Sequence, residues 1–231
     1  MKTRIVAAAL AICLGATSAF AETRDLKVWL RGRLLGTATA EVSGSGESAS
    51  YTIRSLLDNT PLGVGDGSFE ASSRLARTGS GAVVRQYRSR SAAGNDIRTI
   101  SLLLDGGKAV ETVIAPDGER TDLSDPAKVP DGVLDDAAAF ARLVYASDCP
   151  APFRIYDGRR VVQVTTTAAE RGAATLTCTV DYRVIAGPGH LSPFHFKSID
   201  LRLSYAVRDG AVSGLDVMEA SAGLFTVRFA R

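Results

Sequence analysis

Two histidines, two cysteines and two neighbouring arginines are the residues of this chain whose spacing invites chemistry. His190 and His195 are the only histidines and share the segment Gly189-His190-Leu191-Ser192-Pro193-Phe194-His195. As a pair they could ligate a metal or supply a general base. The H-x4-H spacing brings no third ligand, and no helix is signalled that would align the rings. A solvated loop is the plainer reading, and contact with a ligand requires that the loop border a cavity. Arg159 and Arg160 follow the Asp157-Gly158 turn. Strand alternation puts their side chains on opposite faces, so one is set to turn inward toward an acid or an anionic head group. The plain alternative is two exposed arginines.

Other chemistries are poorly served. Ser and Asp are plentiful, but no G-x-S-x-G elbow exists and the pattern lacks strand–helix alternation. The pair Asp135-Asp136 is explained by the start of a helix, where acids suit the dipole. Pro61 to Gly67 is glycine-rich, yet no GxxxxGK[ST] follows, so it reads as a bent or bulged strand. Arg85, Arg88, Arg90 and Arg98 surround one hairpin, as a basic edge or as charges that keep another strand from pairing there. No catalytic residue, metal or cofactor is assigned. The residues retained for ligand or partner contact are Arg159, Arg160, His190 and His195.

The N-terminus bears on the cysteines. Lys2 and Arg4 precede an apolar run, Ile5 to Ala16, and an Ala19-Phe20-Ala21 cleavage pattern. This is the layout of a secretory signal, residues 1–21, removed before Glu22. The run is too short to cross about 30 Å of hydrocarbon. Cys13 lies within it behind the bulky Ile12, which argues against lipid attachment. Cys149 and Cys178 then remain, and in the oxidising periplasm they read as a disulfide. Their spacing excludes a CxxC redox pair, and with the histidines they lack zinc-finger spacing.

Charge excludes further classes. The chain has 27 Lys and Arg against 25 Asp and Glu, and Lys2 and Arg4 supply the whole excess. A neutral mature protein has no basic bias toward nucleic acid. A single Trp and few other aromatics poorly supply the girdles of an outer-membrane barrel. No later stretch is apolar for long enough to span a membrane as a helix.

The elements that must position these residues are mostly strands. Period-two alternation runs through Leu26–Leu30, Leu34–Val42, Tyr51–Ser55, Ser68–Arg77, Ala82–Arg90, Asp96–Leu104 and Lys108–Ile114. It resumes at Phe153–Tyr156, Arg159–Thr167, Ala174–Ile185, Ile199–Val207, Val212–Glu219 and Leu224–Phe229. Asp157-Gly158 suggests a tight type I′ hairpin turn. Between the two series, Leu134 to Ala146 has helical spacing. The prediction is a mainly β domain over residues 22–231: a large, curved antiparallel sheet wrapped around one α-helix, with a closed barrel or a sandwich as alternatives.

Cys149-Pro150, then Ile155-Tyr156-Asp157-Gly158-Arg159-Arg160, then Cys178-Thr179-Val180-Asp181-Tyr182 through Gly187, resembles a bacterial envelope family, the domain of unknown function 3108 (DUF3108). Leu35-Gly36-Thr37-Ala38 fits its opening strand. The likeness extends over most of residues 25–229, with about 40 residues specific to it. It implies a periplasmic β-rich fold, an open barrel or β-spiral like that of lipoprotein carriers, and no enzyme activity. The expectation is a non-enzymatic periplasmic protein that binds lipid, lipoprotein, another hydrophobic ligand or an envelope partner. The rivals are an adaptor acting through a sheet edge and a hydrolase of envelope lipid or polymer.

Overall fold

The computed structural model describes residues 21–60, 66–190 and 195–231. The expected signal and its Cys13 fall on residues 1–20, outside the described residues, as do 61–65 of the glycine-rich segment and 191–194 of the histidine loop.

Among the described residues, fourteen strands form one sheet around a single α-helix. In chain order the first seven are β1 Ala21–Leu30, β2 Arg33–Ser43, β3 Ser50–Leu57, β4 Gly67–Arg77, β5 Val83–Ala93, β6 Asp96–Asp105 and β7 Lys108–Ala115. Three short 3-10 turns follow, then β8 Val133–Leu134 and the helix α1 Asp136–Val144. The second series is β9 Phe153–Tyr156, β10 Val161–Arg171, β11 Thr175–Ala186, β12 Ser198–Arg208, β13 Ala211–Ala222 and β14 Phe225–Ala230. The order across the sheet is β7-β6-β5-β4-β3-β2-β1-β14-β13-β12-β11-β10-β9-β8. All pairs are antiparallel except β8 with β9.

The two series thus join through β1 and β14, where Lys27 faces Ala230 and Leu30 faces Val227. Register shifts in β1–β2, β10–β11, β12–β13 and β6–β7 add local twist. The sheet curls until its ends meet, as a nearly closed barrel. Gly107 O accepts from the N–H groups of Gly132 and Val133, both at 3.0 Å. Thr112 Oγ1 on β7 lies 2.9 Å from Tyr156 Oη on β9. Neither end offers a long free edge: β8 is two residues, and the 3-10 turns pack against β7. On the outer face Arg54 pairs with Glu41 at 3.2 Å and Glu70 at 3.3 Å.

The expected wrapped helix is present, although shorter than its periodicity suggested. Val133 and Leu134 pair with Arg154 and Ile155 as a strand instead of opening the helix. Asp135 is the reason the helix begins where it does. Its Oδ1 accepts from Ala138 N at 2.9 Å and its Oδ2 from Ser73 Oγ at 2.6 Å, so it caps α1 and ties it to β4. At the far end Tyr145 Oη donates to the carbonyls of Ala40 and Glu22, at 2.7 and 2.9 Å. Leu143 and Val144 pack with Leu176, Val180, Leu203 and Leu215 in the main apolar core. Cys149 and Cys178 form a disulfide with a Cα–Cα distance of 5.6 Å, linking the segment after α1 to β11.

Candidate functional site

The turn joining β9 to β10 departs from the expected I′ geometry. Tyr156 pairs with Val161, so Asp157 to Arg160 form a four-residue loop and Arg159 precedes the strand. Asp157 is the cause. Its Oδ1 accepts from the N–H groups of Arg159 and Arg160, each at 2.9 Å, closing the loop through a side chain. Gly158 has φ +91°, and a Cβ there would lie 2.8 Å from Ile100 Cγ2. Gly187, φ +87°, lets the end of β11 pass against the turn, since its Cβ would meet Arg159 O at 2.5 Å. Both positions therefore require glycine to seat the arginines.

The two arginines do different things. Arg159 reaches toward the 3-10 segment, donating from Nε to Glu119 O at 2.7 Å and pairing with the Glu119 carboxylate at 3.0 Å. Arg98 joins the same carboxylate at 2.9 Å and, through that hydrogen bond first, holds Glu119 below the usual carboxylate range. Arg160 turns into the barrel and is 7% exposed. Its Nε lies 2.8 Å from Asp157 Oδ2, out of hydrogen-bond alignment, and its Nη1 meets no acceptor. An unsatisfied buried donor costs about 1–3 kcal/mol, more when charged.

Arg160 lines a cavity of about 390 Å³ between the sheet and α1. Its polar side is completed by Asp136, Asp157, Tyr182 and His190, and its apolar side includes Ala38, Ile53, Phe69, Phe140, Ile155 and Phe229. Ser55, Phe69 and Arg98 also border a larger hollow of about 650 Å³ near Pro116 and Ile97. That hollow is roomier, but the buried cation and the carboxylate–histidine cluster belong to the smaller cavity, which makes it the candidate site. Ser55, Phe69 and Arg98 form a wall common to the two.

The charges inside are strongly shaped by burial. Asp136 is half-buried and borders the cavity. Desolvation, then the carboxylates of Asp157 and Asp135, raise its pKa to about 7, against a hydrogen bond from Tyr87 Oη at 3.2 Å. Its neighbour Asp135 is also raised, by burial. His190 Nε2 lies 3.0 Å from Tyr182 Oη, and desolvation together with Arg160 lowers the ring to about 4. Burial raises the Tyr182 hydroxyl as well. Near neutral pH the imidazole is uncharged and Asp136 is poised between its two forms.

The four candidate contact residues therefore separate. Arg160 and His190 meet at the cavity, Arg159 braces its rim, and His195 is exposed with φ +50°. A bridge between His190 and Phe196 reverses the chain there, with N–H···O distances of 2.8 and 2.9 Å in the two directions. This corrects the solvated-loop expectation for His190, whose ring packs against Tyr182 of β11. Asp136 and Tyr182 were missed as site residues. Alternation along Ala174–Ile185 puts Tyr182 on one face with Leu176, Cys178 and Val180, but nothing local marks where packing ends and a cavity begins. No group of three or more potential metal ligands occurs among the described residues, and no described helix is long and apolar enough to cross a membrane. Comparisons with protein-family models, curated proteins and solved structures find no match to the chain.

Proposed function

We propose that this chain is a non-catalytic binding protein of the bacterial envelope, which works in the periplasm after loss of residues 1–21 and holds a hydrophobic ligand inside its curled sheet. Kinship with DUF3108 belongs to the same reading. The observation that carries it is a mostly apolar cavity with one buried, under-satisfied cation, Arg160. Ligand sites commonly have about 300–1,000 Å³, apolar walls and a few placed polar groups. A sheet-edge adaptor is less well supported, because β8 is short and β7 is flanked by the 3-10 turns.

A hydrolase is the second reading, favoured by the raised carboxyl of Asp136. Against it, His190 bonds to Tyr182, whose hydroxyl is itself raised, and no described Ser, Thr or Cys is hydrogen-bonded to the ring. Among the described residues an acid–base group is present without an activated nucleophile.

Uptake of the neutral fluorophore N-phenyl-1-naphthylamine by the mature chain, purified without detergent, tests the binding reading. Saturable uptake is expected, and Ser55→Trp at the shared wall should abolish it while leaving the circular dichroism unchanged. No uptake, or equal uptake by a folded Ser55→Trp variant, sinks the proposal.

A further inference from the structure

We propose that Arg160 receives the single carboxylate of a one-chain amphiphile, so that the ligand class is a long-chain carboxylic acid. The inference rests on the binding reading above and names the chemistry of that site.

Arg160 borders the cavity and is more than nine-tenths buried, and its Nη1 lacks an acceptor. Asp157 cannot supply that acceptor. Its Oδ1 is committed to two backbone N–H groups and its Oδ2 lies beside Nε. An acceptor carried by a ligand completes the guanidinium, and a carboxylate does so with charge. Tyr182 and His190 lie on the same side, where a hydroxyl or ring N–H can meet the second oxygen.

Electrostatics chooses a monoanion. Asp157 already balances Arg160, and Asp136 and Asp135 lie close by. A phosphate bearing a second charge adds repulsion in a water-poor cleft, whereas one carboxylate adds least. The raised Asp136 favours the same outcome, since its protonated form adds no repulsion. The tail is accounted for by the apolar lining of the same cavity, which includes Ile53, Phe69, Phe140 and Phe229. The cavity's volume of about 390 Å³ favours one chain over two.

Displacement of N-phenyl-1-naphthylamine from the mature chain by dodecanoate, dodecanol and dodecyl phosphate reads the head-group preference. Dodecanoate should act at a concentration about ten-fold or more below dodecanol, the scale of one charge-assisted hydrogen bond, and also below dodecyl phosphate. Arg160→Met should bring dodecanoate to the level that dodecanol reaches on the same variant. If that variant does not fold, Asp157→Asn combined with Arg160→Met removes both charges and carries the same test. Equal action of dodecanoate and dodecanol on the unaltered chain, or stronger action of dodecyl phosphate, overturns the assignment. Probe uptake that none of the three displaces overturns this inference alone. Absence of probe uptake overturns the binding reading itself.

Discussion

One strand, β11, serves two unlike regions of the barrel. Leu176, Cys178 and Val180 sit in the filled region, packed with Leu203, Tyr205, Leu215 and the end of α1, and Tyr205 Oη donates to Leu143 O at 2.8 Å. Two residues further along the same face, Tyr182 meets His190 beside the cavity. The filled region buries one continuous apolar cluster. The hollow region keeps a buried arginine with an idle N–H and a carboxyl held far from its ordinary pKa. Both features oppose folding, so the hollow gives up stability that the filled region must supply. That division is expected when one part of a fold is built to hold and another to bind.

The largest test breaks the filled region. Replacing Cys149 and Cys178 together with Ser should lower stability by about 3–4 kcal/mol, read as a shifted denaturant midpoint. The folded fraction should still take up the naphthylamine probe. Two free thiols in the unaltered mature chain under non-reducing conditions would contradict both the lock and the periplasmic assignment.

A second test works on the hollow. Asp136 has a folded pKa of about 7 against a usual 3.8, with Tyr87, Asp135, Asp157, Arg160, Tyr182 and His190 as the neighbouring titratable groups. A raised carboxyl binds its proton more tightly in the folded state. It therefore draws stability down as pH rises from about 4 to about 7, then leaves it level. Asp136→Asn should flatten that slope, so thermal melts at pH 5 and pH 8 differ less than in the parent chain. An unchanged slope would mean that Asp136 is not enclosed as described.

The smallest effects belong to the rim. Arg159→Ala removes a partly exposed ion pair to Glu119 and should cost about 0–1 kcal/mol. His195→Ala should change neither melting nor probe uptake, because its side chain is exposed. A loss of uptake from either change would extend the site beyond the cavity and blur the contrast between the regions.

Local periodicity made the sheet legible. Each strand buries one face, so period-two alternation marks it without knowledge of its partner, and Asp and Gly mark the reversals. The helix was visible for the same reason, although its expected start at Leu134 falls two residues before Asp136, where it begins. Val133 and Leu134 misled because two apolar residues fit either period, and only the neighbouring β9 makes them a strand. The turn at Asp157 misled because its carboxylate closes the loop, a choice that the Asp-Gly pair alone does not encode.

The site was legible only in fragments. Arg160 and His190 stood out by type, and alternation put one of the two arginines inward. Which residues surround them depended on curling fourteen strands until β9 approached β7. Asp136 on α1, Asp157 in a turn, Tyr182 on β11 and His190 in a loop are then neighbours across long stretches of chain. The sequence by itself determined the strands, the helix and the one pair of cysteines placed to lock them, because those follow from local spacing. The cavity and its altered ionisation were decided by tertiary structure, because exclusion of water depends on distant segments closing over the same point.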